Sequence, residues 1–154
     1  MTLDETFMQL AIEQARLAET LGEVPIGCVI VCGGQVVGTG HNRRISDSDP
    51  TAHAEMIAIR QAAAARGDWR LDDCDLFVTL EPCPMCAGAA VLARIRRIVF
   101  GPPDPKAGAC GTLMNLAADP RLNHRIELVG NVLADDCRKL LQDFFRTQRR
   151  AGKG

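Results

Sequence analysis

Apolar side chains recur at helical spacing near the start of the chain. Phe7, Leu10, Ala11, Leu17 and Ala18 lie three, four or seven positions apart along one predicted face. A period of about 3.6 residues is typical of an amphipathic helix. The pattern therefore predicts a helix over residues 3–21, and Gly22 follows it as an end signal.

The rest of the chain alternates between strand-like and helical patterns. Two apolar runs joined by Gly33 and Gly34 predict a β-hairpin, because glycine permits the positive φ angles of a two-residue turn. A hairpin followed by β-α-β units predicts an α/β fold: a three-layer α/β/α sandwich with a mixed five-stranded sheet and helices on both faces. The predicted elements are strands at 26–32, 35–41, 76–80, 97–100 and 125–129, and helices at 53–66, 83–94 and from about residue 134.

Length and composition indicate one compact domain over residues 1–154. The chain is 47% hydrophobic with a net charge of −1, and it contains no apolar run of the about 18 residues that a membrane span requires. Its first residues show no secretory signal pattern. Seven cysteines, an odd number, fit a reducing compartment better than a disulfide framework. We therefore expect a cytoplasmic protein in which Cys28, Cys32 and Cys137 are packing residues.

The residues that carry chemistry are His53, Glu55, Cys83 and Cys86. An imidazole and two thiolates can bind zinc, and a zinc ion with three protein ligands keeps a fourth tetrahedral position for water, whereas a structural zinc normally has four protein ligands. If a proline occupies the first turn of the second helix, both thiols lie at its N-terminus, where the helix dipole favours thiolates. Because His53 opens the preceding helix, two helix N-termini are expected to face one ion. The pattern predicts a catalytic zinc site.

Glu55 is the predicted proton carrier of this site. It lies two residues after His53, roughly 200° around a helix, so it is poorly placed to bind the same metal. A carboxylate near zinc-bound water can take its proton, because the metal lowers the pKa of that water to about 7. A lone C-x-x-C pair also suits a zinc ribbon or a redox pair. Cys74 and Cys110 are conceivable fourth zinc ligands, so these alternatives stay open.

The end of the chain is strongly basic. From residue 138 onwards Asp143 is the only acidic residue, and Phe144 and Phe145 supply aromatic surface. Cations beside aromatic rings can bind single-stranded nucleic acid, but cations near a helix C-terminus also balance its dipole. Both interpretations fit this tail. Its basic residues are Arg138, Lys139, Arg146, Arg149, Arg150 and Lys153.

The H-x-E and P-C-x-x-C signatures resemble those of the zinc-dependent nucleobase deaminases, which belong to the cytidine and deoxycytidylate deaminase superfamily. Segments along nearly the whole chain are similar to the branch of this family that acts on tRNA adenosine. The resemblance implies the cytidine deaminase-like fold and hydrolytic deamination of the wobble adenosine to inosine in the anticodon loop of an arginine tRNA, by a homodimer with one zinc ion per subunit. The segments are EVPIG at 23–27, GHNR at 40–43, DPTAHAE at 49–55, TLEPC at 79–83, MCAG at 85–88, KAGA at 106–109, NHR at 123–125 and DFFR at 143–146.

The resemblance also implies a role for individual residues. It makes His53, Cys83 and Cys86 the zinc ligands and Glu55 the proton shuttle, and it matches Asn42 to the asparagine that hydrogen-bonds the flipped base. Each RNA-contacting position also has an ordinary explanation in capping a turn, ordering a loop or packing in the core. The positions implied to contact neighbouring anticodon nucleotides are Lys106, Asn123, His124, Phe145 and, on a more loosely matching tail, Arg149.

Two other functions are open on the sequence alone. A small-molecule deaminase acting on guanine, cytosine or a nucleoside would share the zinc site and differ at the rim of the pocket. A non-catalytic, zinc-stabilised RNA-binding module would need no proton carrier, and its zinc would have four protein ligands and no water.

Overall fold

The computed structural model describes residues 1–152, so Lys153 of the basic tail lies outside the described residues. Within that range the chain forms four helices and a mixed five-stranded sheet, which confirms the predicted element types and their order. None of these four helices combines the length and apolar character needed to cross a membrane. The elements are α1 (Leu3–Thr20), β1 (Gly27–Cys32), β2 (Gln35–His41), α2 (Ala54–Arg66), β3 (Cys74–Val78), α3 (Pro84–Leu92), β4 (Arg97–Phe100), β5 (Glu127–Val129) and α4 (Ala134–Arg150).

Strand β3 begins and ends two residues earlier than the apolar pattern predicts. Its pairing with β1 runs from Cys74 to Val78. The strand accommodates the polar residue Asp75 because the carboxylate accepts hydrogen bonds from the guanidinium groups of Arg96 and Arg97. An apolar run alone therefore places this strand too late.

The helices cover both faces of the sheet, as predicted for a three-layer sandwich. The strand order is β2-β1-β3-β4-β5, with β1 antiparallel to β2 and β3, and β3, β4 and β5 parallel. Successive side chains of a strand point to opposite faces. Ile30 and Leu76 pack in the core beneath α2 and α3, whereas Val29 and Phe77 pack with α1 and α4.

Close packing of α2 on β2 brings the start of this helix to the end of the central strands. At Gly40 an added Cβ would collide with the carbonyl oxygen of Ala54, so a larger residue would push the helix away. Strand β3 ends at Val78 and leads within a few residues to Cys83, which precedes α3. The N-termini of α2 and α3 therefore meet at the carboxyl end of β3.

Cys32 and Cys74 form a disulfide, which corrects two predictions. Cys32 is more than a packing residue, and the chain holds one disulfide although its seven cysteines were expected to fit a reducing compartment. The bond follows from the register, since Cys32 of β1 lies directly opposite Cys74 of β3 with the Cα atoms 4.5 Å apart. This is the spacing of a non-hydrogen-bonded antiparallel pair. Cys28 and Cys137 are buried, as predicted for packing residues.

Reduction of the Cys32–Cys74 disulfide is expected to lower the free energy of unfolding by about 4 kcal/mol at 25 °C, because the bond closes a loop with a sequence separation of 42 residues. Urea unfolding with and without a non-chelating phosphine reductant measures this difference. The Cys32→Ser/Cys74→Ser double variant is the control, and the reductant should not change its unfolding. An unchanged midpoint for the reduced wild-type protein contradicts the disulfide.

Candidate active site

Three predicted metal-binding side chains converge at the N-termini of α2 and α3. His53 is the N-cap of α2, Cys83 is the N-cap of α3, and Cys86 lies in the first turn of α3. The Nδ1 atom of His53 lies 3.6 Å from Sγ of Cys83 and 3.5 Å from Sγ of Cys86. Pro84 occupies the first turn of α3, as the sequence predicts, so both thiols are held at one end of this helix.

These distances fit a tetrahedral zinc ion. Zn–S and Zn–N bonds of about 2.3 and 2.0 Å at tetrahedral angles place a nitrogen about 3.5 Å from each sulfur. Neither His53 nor Cys83 uses its side chain to cap its own helix, so both are free to bind a metal. Among residues 1–152, neither Cys74 nor Cys110 joins this group of ligand atoms. The donor set is therefore one imidazole and two thiols, without a fourth cysteine.

Local interactions favour the ionised form of Cys83. Its hydrogen bond with Cys86, followed by the one with His53, lowers the pKa of the Cys83 thiol to about 4 although burial opposes the shift. The same contact raises the pKa of Cys86, which keeps the shared proton. The positive ends of two helix dipoles add to the stabilisation of a thiolate. A cation entering this site would meet one ligand already ionised and would displace the protons of the others.

Glu55 lies beside this group without joining it. The residue is in the first turn of α2, is 5% exposed and lines the same cavity as His53 and Cys83. Burial raises the pKa of the Glu55 carboxyl to about 7, and the charge of Cys83 adds to this effect. A carboxyl group with a pKa near neutrality can both accept and release a proton.

A cavity of about 250 Å³ opens onto these residues. Asn42 is buried in one of its walls, where Nδ2 donates to the carbonyl oxygen of Val24 and Oδ1 accepts from the backbone N–H of Arg44, both at 3.4 Å. Both bonds are longer than the usual range of about 2.7–3.2 Å for N–H···O hydrogen bonds, so a ligand can compete for this amide. The lining residues are Val24, Ile26, Asn42, Arg44, His53, Ala54, Glu55, Leu80, Glu81, Cys83, Asp104, Ala107 and Phe145.

Helix α4 supplies an aromatic rim to the cavity. Phe145 lines it and is 45% exposed, so this residue is not part of the core. Its ring packs edge-on against buried Phe144 with the centroids 5.4 Å apart. Arg149 is exposed and lines an adjoining groove with Phe145 and Ile45. The aromatic and basic residues predicted to contact RNA thus lie side by side at the mouth of the site.

Three other predicted RNA contacts do not line this cavity. Lys106 is exposed beside Ala107, which does line it, and Asn123 is exposed. Nε2 of His124 donates to the carbonyl oxygen of Ile95 at 2.6 Å. Ile95 precedes β4, so His124 lies at the opposite end of the sheet from the cavity and orders its own loop. The RNA-binding roles of these residues stay predictions.

Three polar residues in the cavity wall are not singled out by the sequence patterns. Glu81 lies within the TLEPC segment and Arg44 directly follows the GHNR segment, so their positions in the sequence could have indicated them. Asp104 lies in a loop rich in glycine and proline, where no periodicity indicates which side chains point inward. Only the folded path of this loop places Asp104 in the wall.

Residues 1–102 match the family model described as the cytidine and deoxycytidylate deaminase zinc-binding region. The chain belongs to this family, which confirms the predicted class of enzyme, a deaminase with a zinc-binding region. It is 50% identical to the tRNA-specific adenosine deaminase of Bacillus subtilis (strain 168), over 99% of this chain and 95% of the relative.

Two solved structures show the same fold. A chain from a study of A-to-I editing by tRNA:A34 deaminases at the wobble position of transfer RNA is 42% identical with a TM-score of 0.85, covering 88% of this chain and 99% of the other. A guanine deaminase from Bacillus subtilis is 39% identical with a TM-score of 0.63, covering 70% of this chain and 69% of the other.

The His53→Ala substitution is expected to lower zinc affinity by more than about 100-fold, because it removes a ligand rather than a neighbour of a ligand. Zinc content after dialysis and competition with a chromogenic chelator measure this loss. His124→Ala is the matched control, since it removes a half-buried imidazole outside the group of ligand atoms. Zinc binding of wild-type strength in the His53→Ala protein would contradict the assigned site.

Proposed function

We propose that this protein converts the wobble adenosine of an arginine tRNA anticodon to inosine by hydrolytic deamination. The observation that carries the proposal is the buried carboxyl of Glu55 in one cavity with His53 and Cys83. A metal site with an adjacent proton carrier supports hydrolysis rather than a purely structural role. The identity to tRNA-specific adenosine deaminases over nearly the whole chain supports the choice of substrate.

The chain's own residues account for the steps of this reaction. His53, Cys83 and Cys86 would hold a zinc ion, which would supply Lewis-acid chemistry for the activation of water. Glu55 takes a proton from the attacking water, delivers it to the ring nitrogen of the base and then assists the departure of ammonia. Asn42 orients the base through its side-chain amide. Adenosine and one water thus give inosine and one ammonia.

The rim of the cavity suits a base that has left its stack. An adenosine stacked in an anticodon loop cannot reach a buried site, and extrusion of an already single-stranded base costs only a few kcal/mol. Phe145 offers an exposed ring on which a neighbouring base can stack, and Arg149 offers a cation for the backbone. These features support RNA as the substrate.

We further propose a cytoplasmic homodimer with one zinc ion per subunit. Leu92, Leu113 and Met114 expose 71%, 56% and 46% of their surfaces, and contact with a second subunit would remove this apolar area from water. Asn123 and His124 lie away from the cavity of their own chain, so a second subunit would be needed to bring them near an anticodon. A tRNA substrate supports the cytoplasmic location, whereas the Cys32–Cys74 disulfide removes the support that the cysteine count gave it.

A guanine deaminase is the second candidate, because a structure with that activity is 39% identical over 70% of this chain. The two functions differ in what the rim must hold, since free guanine needs neither Phe145 nor Arg149. The proposal predicts inosine in an unmodified arginine tRNA anticodon stem-loop and no ammonia from free guanine. Release of ammonia from guanine with no inosine in the RNA would favour the second candidate.

Replacing Glu55 by alanine is expected to lower kcat for inosine formation by at least about 10²- to 10⁴-fold, because the proton carrier is lost. Bound zinc should remain stoichiometric, since Glu55 is not among the ligand atoms. Single-turnover assays of the stem-loop, with metal analysis of the same samples, measure both effects. Full activity of the Glu55→Ala protein would rule out the proposed shuttle.

The Phe145→Ala and Arg149→Ala substitutions are expected to weaken stem-loop binding in different ways. Loss of stacking should reduce affinity by roughly 5- to 150-fold at any salt concentration. Loss of Arg149 should reduce the slope of log affinity against log salt by about 1. Arg16→Ala, which removes an exposed cation from α1, is the control. Unchanged affinity and slope in both variants would show that α4 does not contact RNA.

A further inference from the structure

Two parts of the active-site cavity wall are loops rather than regular elements. One wall includes Arg44 and belongs to residues 42–51, and the other includes Asp104 and Ala107 and belongs to residues 101–112. Neither loop lies within a helix or strand, so the hydrogen bonds of the sheet and helices do not fix its position. In each loop, one buried carboxylate accepts hydrogen bonds from several backbone N–H groups.

Glu81 receives four hydrogen bonds from the second wall. Oε1 accepts from the backbone N–H of Asp104 at 2.9 Å and from the hydroxyl of Thr112. Oε2 accepts from the backbone N–H groups of Cys110 at 2.9 Å and Thr112 at 3.1 Å. Since these donors lie on both sides of Ala107 along the chain, one carboxylate fixes both ends of the segment that faces the cavity.

The main chain around Glu81 ties this wall to the zinc-binding segment. The backbone N–H of Glu81 donates to the carbonyl oxygen of Pro102 at 3.1 Å, and that of Ala109 donates to the carbonyl oxygen of Pro82 at 2.9 Å. An added Cβ at Gly108 would lie 2.6 Å from Oε2 of Glu81, so the close approach requires glycine. The position of the wall is therefore set relative to the segment that carries Cys83.

Glu23 holds the first wall in the same manner. Oε1 accepts from the backbone N–H of Ile45 at 3.2 Å, and Oε2 accepts from the backbone N–H of Ser46 at 2.6 Å and from its hydroxyl at 2.7 Å. Burial raises the pKa of the Glu23 carboxyl, but the hydrogen bonds with Ser46 and Ile45, together with the charge of Arg44, outweigh burial and lower the pKa overall. The loop that follows Asn42 is thereby anchored to an ionised group.

Both carboxylates are buried without an ion pair. Glu23 is 1% exposed and Glu81 is 2% exposed. Across the described part of the chain, no lysine, arginine or histidine forms a salt bridge with either. A buried charge is costly unless its hydrogen-bonding capacity is filled. Here the loop N–H groups satisfy the hydrogen-bonding capacity of each carboxylate. The carboxylate and the loop therefore hold each other in place.

We infer that Glu81 and Glu23 are positioning residues of the deaminase, each controlling a different wall of the cavity. Glu81 sets the wall beside the zinc ligands and therefore the placement of the reacting base. Glu23 sets the rim that carries Arg44 and therefore the binding of the RNA strand. The kinetic part of this inference rests on the proposed function, whereas the anchoring of the loops does not.

The Glu81→Gln and Glu23→Gln substitutions separate the two roles. The amide replaces one acceptor oxygen by an NH2 group, which cannot accept a hydrogen bond from a loop N–H. For Glu81→Gln we expect kcat on the stem-loop to fall roughly 10- to 100-fold because the base is misplaced, with KM and zinc content nearly unchanged. For Glu23→Gln we expect KM to rise roughly tenfold, with kcat nearly unchanged.

Hydrogen exchange on the zinc-loaded protein without RNA tests the anchoring directly. The amides of Cys110 and Thr112 should lose protection in Glu81→Gln, and those of Ile45 and Ser46 should lose it in Glu23→Gln, each variant sparing the other loop. This measurement decides the anchoring even if the wild-type protein makes no inosine, an outcome that would reject the proposed function instead. Unchanged protection, or lost protection with unchanged kcat and KM, overturns the inference.

Thr112→Val provides the milder test if Glu81→Gln fails to fold. It removes one hydroxyl donor to the Glu81 carboxylate and leaves the carboxylate in place. We expect a smaller fall in kcat of about three- to tenfold, with faster exchange of the Cys110 amide. Wild-type kcat and exchange in this variant would overturn the assignment of Glu81.

Discussion

The N-termini of α2 and α3 meet at one point, and the rest of the structure depends on this meeting. His53 and Cys83 each occupy an N-cap position, and Cys86 follows within the first turn of the second helix. Three side chains from two distant parts of the sequence are thereby held at distances that suit one zinc ion. The sheet maintains this geometry. The close approach of α2 to β2 at Gly40 determines where α2 starts, and the end of β3 determines where α3 starts.

Two ionisable groups near this point have pKa values that are shifted in opposite directions. The thiol of Cys83 has a lowered pKa at the positive ends of two helix dipoles, whereas burial raises the pKa of the Glu55 carboxyl. One group is ready to bind a cation, and the other is ready to exchange a proton near neutral pH. The shifts have different causes, since hydrogen bonds with Cys86 and His53 stabilise the Cys83 thiolate, whereas burial disfavours the charged form of Glu55 beside the same ligand atoms.

Features of the fold that depend on short stretches of sequence were predictable, and features that depend on the folded path of the chain were not. Helical and alternating patterns predict every helix and strand within residues 1–152, because each element buries one face. The candidate ligands His53, Cys83 and Cys86 could be singled out because residue type and spacing are local properties, and the fold brings them together. The Cys32–Cys74 disulfide was not, because it depends on which strands become neighbours and in which register. The role of Glu81 was equally hidden although the TLEPC segment contains this residue, since that role depends on the path of a loop more than twenty residues away.

The coordination of the metal tests the central claim most directly. X-ray absorption at the zinc K-edge of purified, active protein reports the number and type of atoms bound to the ion. The arrangement of His53, Cys83 and Cys86 predicts two sulfur ligands at about 2.3 Å and two lighter ligands at about 2.0 Å, one of them from solvent. Three or four sulfur ligands, or active protein that contains no zinc, would contradict this account.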